Sequence, residues 1–82
     1  MKVRVCTLKE VVVEIPTATF AELDNYYRTH AFDEWDTPFV EEMTDKAIKE
    51  IEEKMGIPFG NDNVEETICS VSAMDGEVIL EW

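Results

Sequence analysis

Basic residues are scarce in this chain. Seven lysines and arginines stand against nineteen aspartates and glutamates in 82 residues, a formal net charge of -12. Such an imbalance repels nucleic acid and anionic membranes, and it favours a basic protein partner. Histidine occurs once and cysteine twice, so zinc has no credible ligand set, and free thiols are expected rather than a disulfide framework. Cys6 and Cys69 are expected as free, buried thiols. No apolar run approaches the roughly 20 residues that span a bilayer. The opening MKVRVCTLKE lacks the continuous apolar core of a secretory signal, which makes a cytoplasmic location the expectation. No motif calls for a cofactor.

What is present is an ordinary globular composition, 45% hydrophobic and 32% charged, with the apolar residues set out periodically rather than scattered. The length suits one small domain. Val3, Val5, Val11, Val13 and Ile15 all fall on odd positions, the period of a half-buried strand. A three-residue turn at Leu8, Lys9 and Glu10 sets Val5 opposite Val13 and Val3 opposite Ile15, a hairpin with one apolar face. One long bent strand is the alternative, because that turn holds no Gly, Asn or Asp. Pro16 ends the pairing.

Thr19 and Glu22 fit a capping box at the start of a first helix, whose apolar stripe is Phe20, Leu23, Tyr27 and Ala31. Asp24 and Arg28 lie four apart on its outer side. Thr37 and Pro38 read as N-cap and first residue of a second helix. Val40, Met43, Ala47, Ile48, Ile51 and Met55 form its buried stripe. Glu42 with Lys46, Asp45 with Lys49 and Glu50 with Lys54 stand in the favourable acid-to-base order. Gly56 closes this helix and Pro58 prevents its resumption.

The loop GIPFGNDN precedes a second hairpin centred on Asp75 and Gly76, a pair suited to a two-residue turn. That turn pairs Ala73 with Val78, Val71 with Leu80 and Cys69 with Trp82. It gathers those six residues on one face and leaves Ile79 as the exception on the polar side. The order β-β-α-α-β-β predicts an α+β fold: a two-layer sandwich in which an antiparallel sheet of two hairpins carries both helices on one face.

Chemistry is sparse. His30 could serve as an acid or base, with Tyr26 and neighbouring acids, in a small enzyme or ligand-binding domain. A histidine ending a helix more often satisfies its last carbonyls and complements the dipole. No nucleophile accompanies it in sequence, and an acidic background raises thiol pKa values. Asp62, Asn63 and Glu65 offer oxygen ligands but depart from the spacing of a calcium loop.

The negative charge is a more direct tool. Asp33, Glu34 and Asp36 precede the second helix, and Glu41, Glu42, Asp45, Glu50, Glu52 and Glu53 crowd it. A row of carboxylates can imitate nucleic-acid phosphates in a basic groove of another protein. In size and charge the chain is similar to the small acidic inhibitors of phages and mobile elements, a resemblance of composition that implies an inhibitory role. Among these acids stand Phe32, Trp35 and Phe39, spaced for one helical face. They plug the core where the helices join, or Trp35 stays outside as an anchor with Phe32 and Phe39 within. The expected partner surface is therefore Asp33, Glu34, Trp35, Asp36, Glu41, Glu42, Asp45, Glu52 and Glu53. A further alternative is a homodimer through an exposed hairpin edge rather than a monomer.

Overall fold

The computed structural model describes residues 1–82. The chain runs β1 (Lys2–Cys6), β2 (Glu10–Glu14), α1 (Thr19–Thr29), a 3-10 turn (Phe32–Glu34), α2 (Thr37–Met55), β3 (Ser70–Ala73) and β4 (Val78–Glu81). The strands make one antiparallel sheet in the order β2-β1-β3-β4, so the hairpins meet through β1 and β3. Both helices cover one face. Val3, Val5, Val71, Ala73 and Leu80 point from the sheet into a single core with Phe20 and Leu23 of α1 and Met43, Ala47 and Ile51 of α2. This is the α+β sandwich that the alternating patterns imply. No helix is long and apolar enough to cross a membrane.

The first hairpin is present, but its register is shifted by two residues. Val3 pairs with Val13 and Val5 with Val11, and the turn is Thr7 to Lys9 rather than Leu8 to Glu10. A shift of two keeps every side chain on its own face, so hydrophobic alternation cannot detect it. The ladder continues to Ile15, whose N–H donates to the Met1 carbonyl at 2.9 Å. Cys6 and Cys69 are each half-buried rather than buried.

Thr19 does not cap α1. Ala18 occupies the N-cap position without a side-chain bond, and Thr19 is buried with its hydroxyl donating to Glu50 Oε1 at 2.9 Å. Thr17 donates to the other oxygen, Oε2, at 2.6 Å. The carboxylate accepts from both hydroxyls, strong charge-assisted bonds, and the fork ties the entry of α1 to the later half of α2. Ala31 lies beyond the helix and is exposed. On α2, Asp36 rather than Thr37 is the N-cap, its Oδ1 accepting from Phe39 N–H at 3.4 Å, with Pro38 just inside. The three acid-to-base pairs expected along α2 do not form. The ion pairs are instead Met1 with Glu14, Arg4 with Glu10, and Arg28 with Asp24 and Asp75. Exposed pairs of that kind gain too little to hold two long side chains in place. Gly56 ends α2 in the left-handed region at φ 68, where lack of a Cβ removes the steric cost.

The second hairpin is bulged. Val71 still faces Leu80, but Ser72 faces Val78, which leaves Ile79 as an extra residue on β4. The turn is not the two-residue Asp75-Gly76 turn that would set Ala73 against Val78: the Ala73 N–H donates to the Glu77 carbonyl, the Gly76 N–H to the Ala73 carbonyl, and Gly76 alone has positive φ. The bulge turns Ile79 and Leu80 both inward and puts Val78 outside. Ile79 is thus a core residue, and Val78 and Trp82 are not.

The loop from Gly56 to Cys69 closes the far end of the sheet. Ile68 is fully buried and bridges in parallel to Phe59, whose N–H donates to Glu52 Oε2 at 2.9 Å.

Candidate functional site

The joint between the helices is built around Tyr26. Its ring stacks on His30 with centroids 4.0 Å apart and leans on Phe39 at 4.9 Å. Its hydroxyl oxygen accepts from the Asp36 N–H at 2.8 Å, so α1 holds the residue that starts α2. His30 ends α1 as its position implies: its N–H donates to the Tyr26 carbonyl, and Nδ1 lies 3.1 Å from that same oxygen. The imidazole is exposed, with Nδ1 engaged here and Nε2 without a partner in the chain.

Between His30 and Asp36 the chain leaves the α-helix, and this reverses the expected order of burial. In the 3-10 turn, side chains three apart lie one above the other, which sets Phe32 over Trp35 at 5.0 Å. Trp35 is the anchored member of the pair. Its ring packs on Tyr27 at 4.8 Å, and its Nε1–H donates to the His30 carbonyl at 3.2 Å. Phe32, expected inside, is 81% exposed, whereas Trp35 and Phe39 are half-buried. The outward aromatic is therefore Phe32. A continuous helical face was the wrong frame for this segment. The signal that could have exposed the error is the Thr37-Pro38 start, which forces the chain to leave the helix just before it.

The nine residues expected to meet a partner divide by what else they do. Glu34 Oε1 accepts from the Ala31 N–H at 2.9 Å, Asp36 caps α2, and Glu52 holds the Phe59 N–H. These three carboxylates serve the fold. Asp33, Glu41, Glu42, Asp45 and Glu53 are exposed and form no side-chain hydrogen bond or ion pair within the chain. On the helical wheel Glu41 and Asp45 lie on the outer side of α2, with Lys46 and Lys49 interrupting the row. The joint thus presents a phenylalanine knob with Asp33 next to it in the chain, and Glu41 and Glu42 are exposed on the second turn of α2.

Arg28 links this end of α1 to the second hairpin. Its Nε and Nη2 donate at 2.8 Å to Asp24 and Asp75. The Arg28 hydrogen bond, helped by the Glu77 N–H, lowers the Asp75 pKa, and the two carboxylates raise that of Arg28.

The one groove of the molecule lies elsewhere. It encloses about 290 Å³ and is lined by Ile15, Pro16, Thr17, Glu50, Glu53 and Lys54, so His30 takes no part in it. Nowhere do three histidine, cysteine or acidic side chains converge in a way that could hold a metal ion. Asp62, Asn63 and Glu65 stand exposed on a turn in which the Asn63 N–H donates to Asn61 Oδ1. No family model matches the chain, and searches of characterised proteins and of solved structures find no match either.

Proposed function

We propose that the chain is a non-enzymatic interaction protein that docks on a basic protein partner through the knob of Phe32. The observation that carries this reading is the exposure of Phe32 at 81%, packed against an anchored Trp35 and followed in the chain by the unengaged Asp33. An exposed aromatic ring with an acid next to it in the chain suits an apolar pocket bordered by lysine or arginine, the arrangement of a hydrophobic anchor within a charged rim. The charge of -12 speeds such an encounter and makes it sensitive to salt. Imitation of nucleic acid by an inhibitor is the narrower form of the proposal. It rests on Asp33, Glu41, Glu42, Asp45 and Glu53, and the lysines among them weaken it. A cytoplasmic setting belongs to the same reading, supported by two free thiols.

The test is affinity capture from host lysate at low and high salt with the natural chain, with Phe32→Ser, and with lysine at the five unengaged acids. A partner held at low salt and released at high salt is expected. Phe32→Ser should weaken it about 30-fold, the effect of losing an interface anchor. Capture that neither variant alters would end the proposal.

A further inference from the structure

The two edges of the sheet differ in what they leave open. β4 is short, broken by its bulge, and packs against α1. β2 is a regular strand, EVVVE, with no neighbour on its outer side. Met1 and Ile15 exchange both backbone bonds, each 2.9 Å long, which makes them a hydrogen-bonded pair of the ladder. Alternation then makes Val3 with Val13 and Val5 with Val11 bonded pairs as well. The N–H and C=O groups of Glu10, Val12 and Glu14 therefore point away from β1, out of the sheet. They form an open row of three donors and three acceptors. On the outer face the same three residues carry exposed side chains: Val12 at 51%, with the Glu10 and Glu14 side chains at 59% and 62%.

A copy of the chain fits this edge poorly. The register that pairs the whole strand with itself, centred on Val12, sets Glu10 against Glu14 of the copy at both ends. Like charges directly opposite destabilise a strand pair. Reversing the sign of the incoming strand turns both repulsions into attractions, and β-branched residues suit the positions beside Val11, Val12 and Val13.

We infer that the β2 edge takes up an extended segment of a basic protein as a fifth strand, with lysine or arginine opposite Glu10 and Glu14 and β-branched residues between them. Main-chain bonds supply the affinity and the two carboxylates the selectivity. The inference stands apart from the Phe32 reading, since α1 and the Arg28–Asp75 pair put that knob on the β4 side of the sheet.

The probe is the blocked peptide Thr-Lys-Val-Thr-Val-Lys-Thr, with glutamate replacing both lysines as control. Amide hydrogen exchange and chemical shifts are read on the intact chain. Saturating lysine peptide should slow exchange at Val12 and Glu14 by about tenfold or more, while Val11 and Val13, already bonded to β1, change little. The control peptide should not bind. Val12→Pro removes one outward donor without breaking the ladder to β1, and it should abolish binding. Should that variant unfold, Glu10→Lys with Glu14→Lys decides: the preference between the two peptides should invert. Phe32→Ser should leave peptide binding unchanged. Exchange at Val12 that stays as fast with peptide as without would overturn the inference. So would shifts centred on Phe32 and α2, equal binding of both peptides, or dimerisation of the free chain through β2 in light scattering.

Discussion

The two hairpins start from similar material and end in opposite conditions. Each is a short antiparallel pair with valine or isoleucine at alternate positions, and each contributes one inner and one outer strand to the sheet. The first keeps a plain register, so its outer strand alternates between half-buried and exposed residues and has none that is fully buried. The second spends one residue on a bulge, which places Ile79 and Leu80 side by side in the core under α1. It is also pinned from outside, by Arg28 on Asp75 at its turn and by Trp82 against Gly60 at its other end. A bulge thus converts an edge strand into part of the core, whereas a regular edge strand stays available for pairing.

Removing the bulge residue's side chain strikes this contrast hardest. Ile79→Ala should cost about 2–5 kcal/mol, a loss of transfer energy plus the cavity left behind, seen as a lower urea midpoint. A value near zero would mean that the bulge buries nothing of consequence. Next comes Gly60→Ala. Gly60 has φ 63, and a Cβ there would stand 2.6 Å from Trp82 Cδ1. Strained backbone alone costs about 1–2 kcal/mol, and the displaced ring should also change the tryptophan emission of the native state.

Acid should loosen the second hairpin through Asp75. Its folded pKa lies below the ordinary 3.8, so the unfolded chain binds more protons between those two values and stability rises with pH there. The contribution is present above about pH 4 and is lost as pH falls through the folded value. Melting temperature should therefore drop less steeply below about pH 4 in Asp75→Asn than in the natural chain. The smallest effect belongs to the first hairpin: Val12→Thr should stay within about 0.5 kcal/mol in the same urea titration. A larger loss would show that β2 is held by more than its pairing with β1.

Much of this architecture was legible in the residues. Odd-numbered valines, the α2 stripe and the Gly56 stop all reported local periodicity or local dihedral needs, and each has its element; the Asp-Gly pair marked the second hairpin but not its turn, in which Gly76 alone has positive φ. Three features were not legible for one shared reason: an acceptable local solution lost to a tertiary partner or to an equivalent local choice. Thr19 had a capping role available and took Glu50 instead. The first hairpin had two registers with the same apolar face. Ile79 looked misplaced because alternation assumes that no residue is added, and a bulge adds one. At the joint between the helices, the spacing pointed to the wrong ring as the exposed one. Spacing of three and four suited both a helix and a break between helices, and only the break makes Phe32 the outer member.

The sequence by itself determined the charge, the order of elements, the inward residues of β1, β3 and α2, and the place where the helices part. These follow from periodicity, turn chemistry and caps, which act over a few neighbouring residues. Tertiary structure alone decided the order β2-β1-β3-β4, the recruitment of Glu50 and Glu52 into the fold, the outward turn of Phe32 and the openness of β2. Each of these depends on which groups meet across long stretches of chain, where a carboxylate, a ring or a backbone amide finds its partner only after the layers have packed.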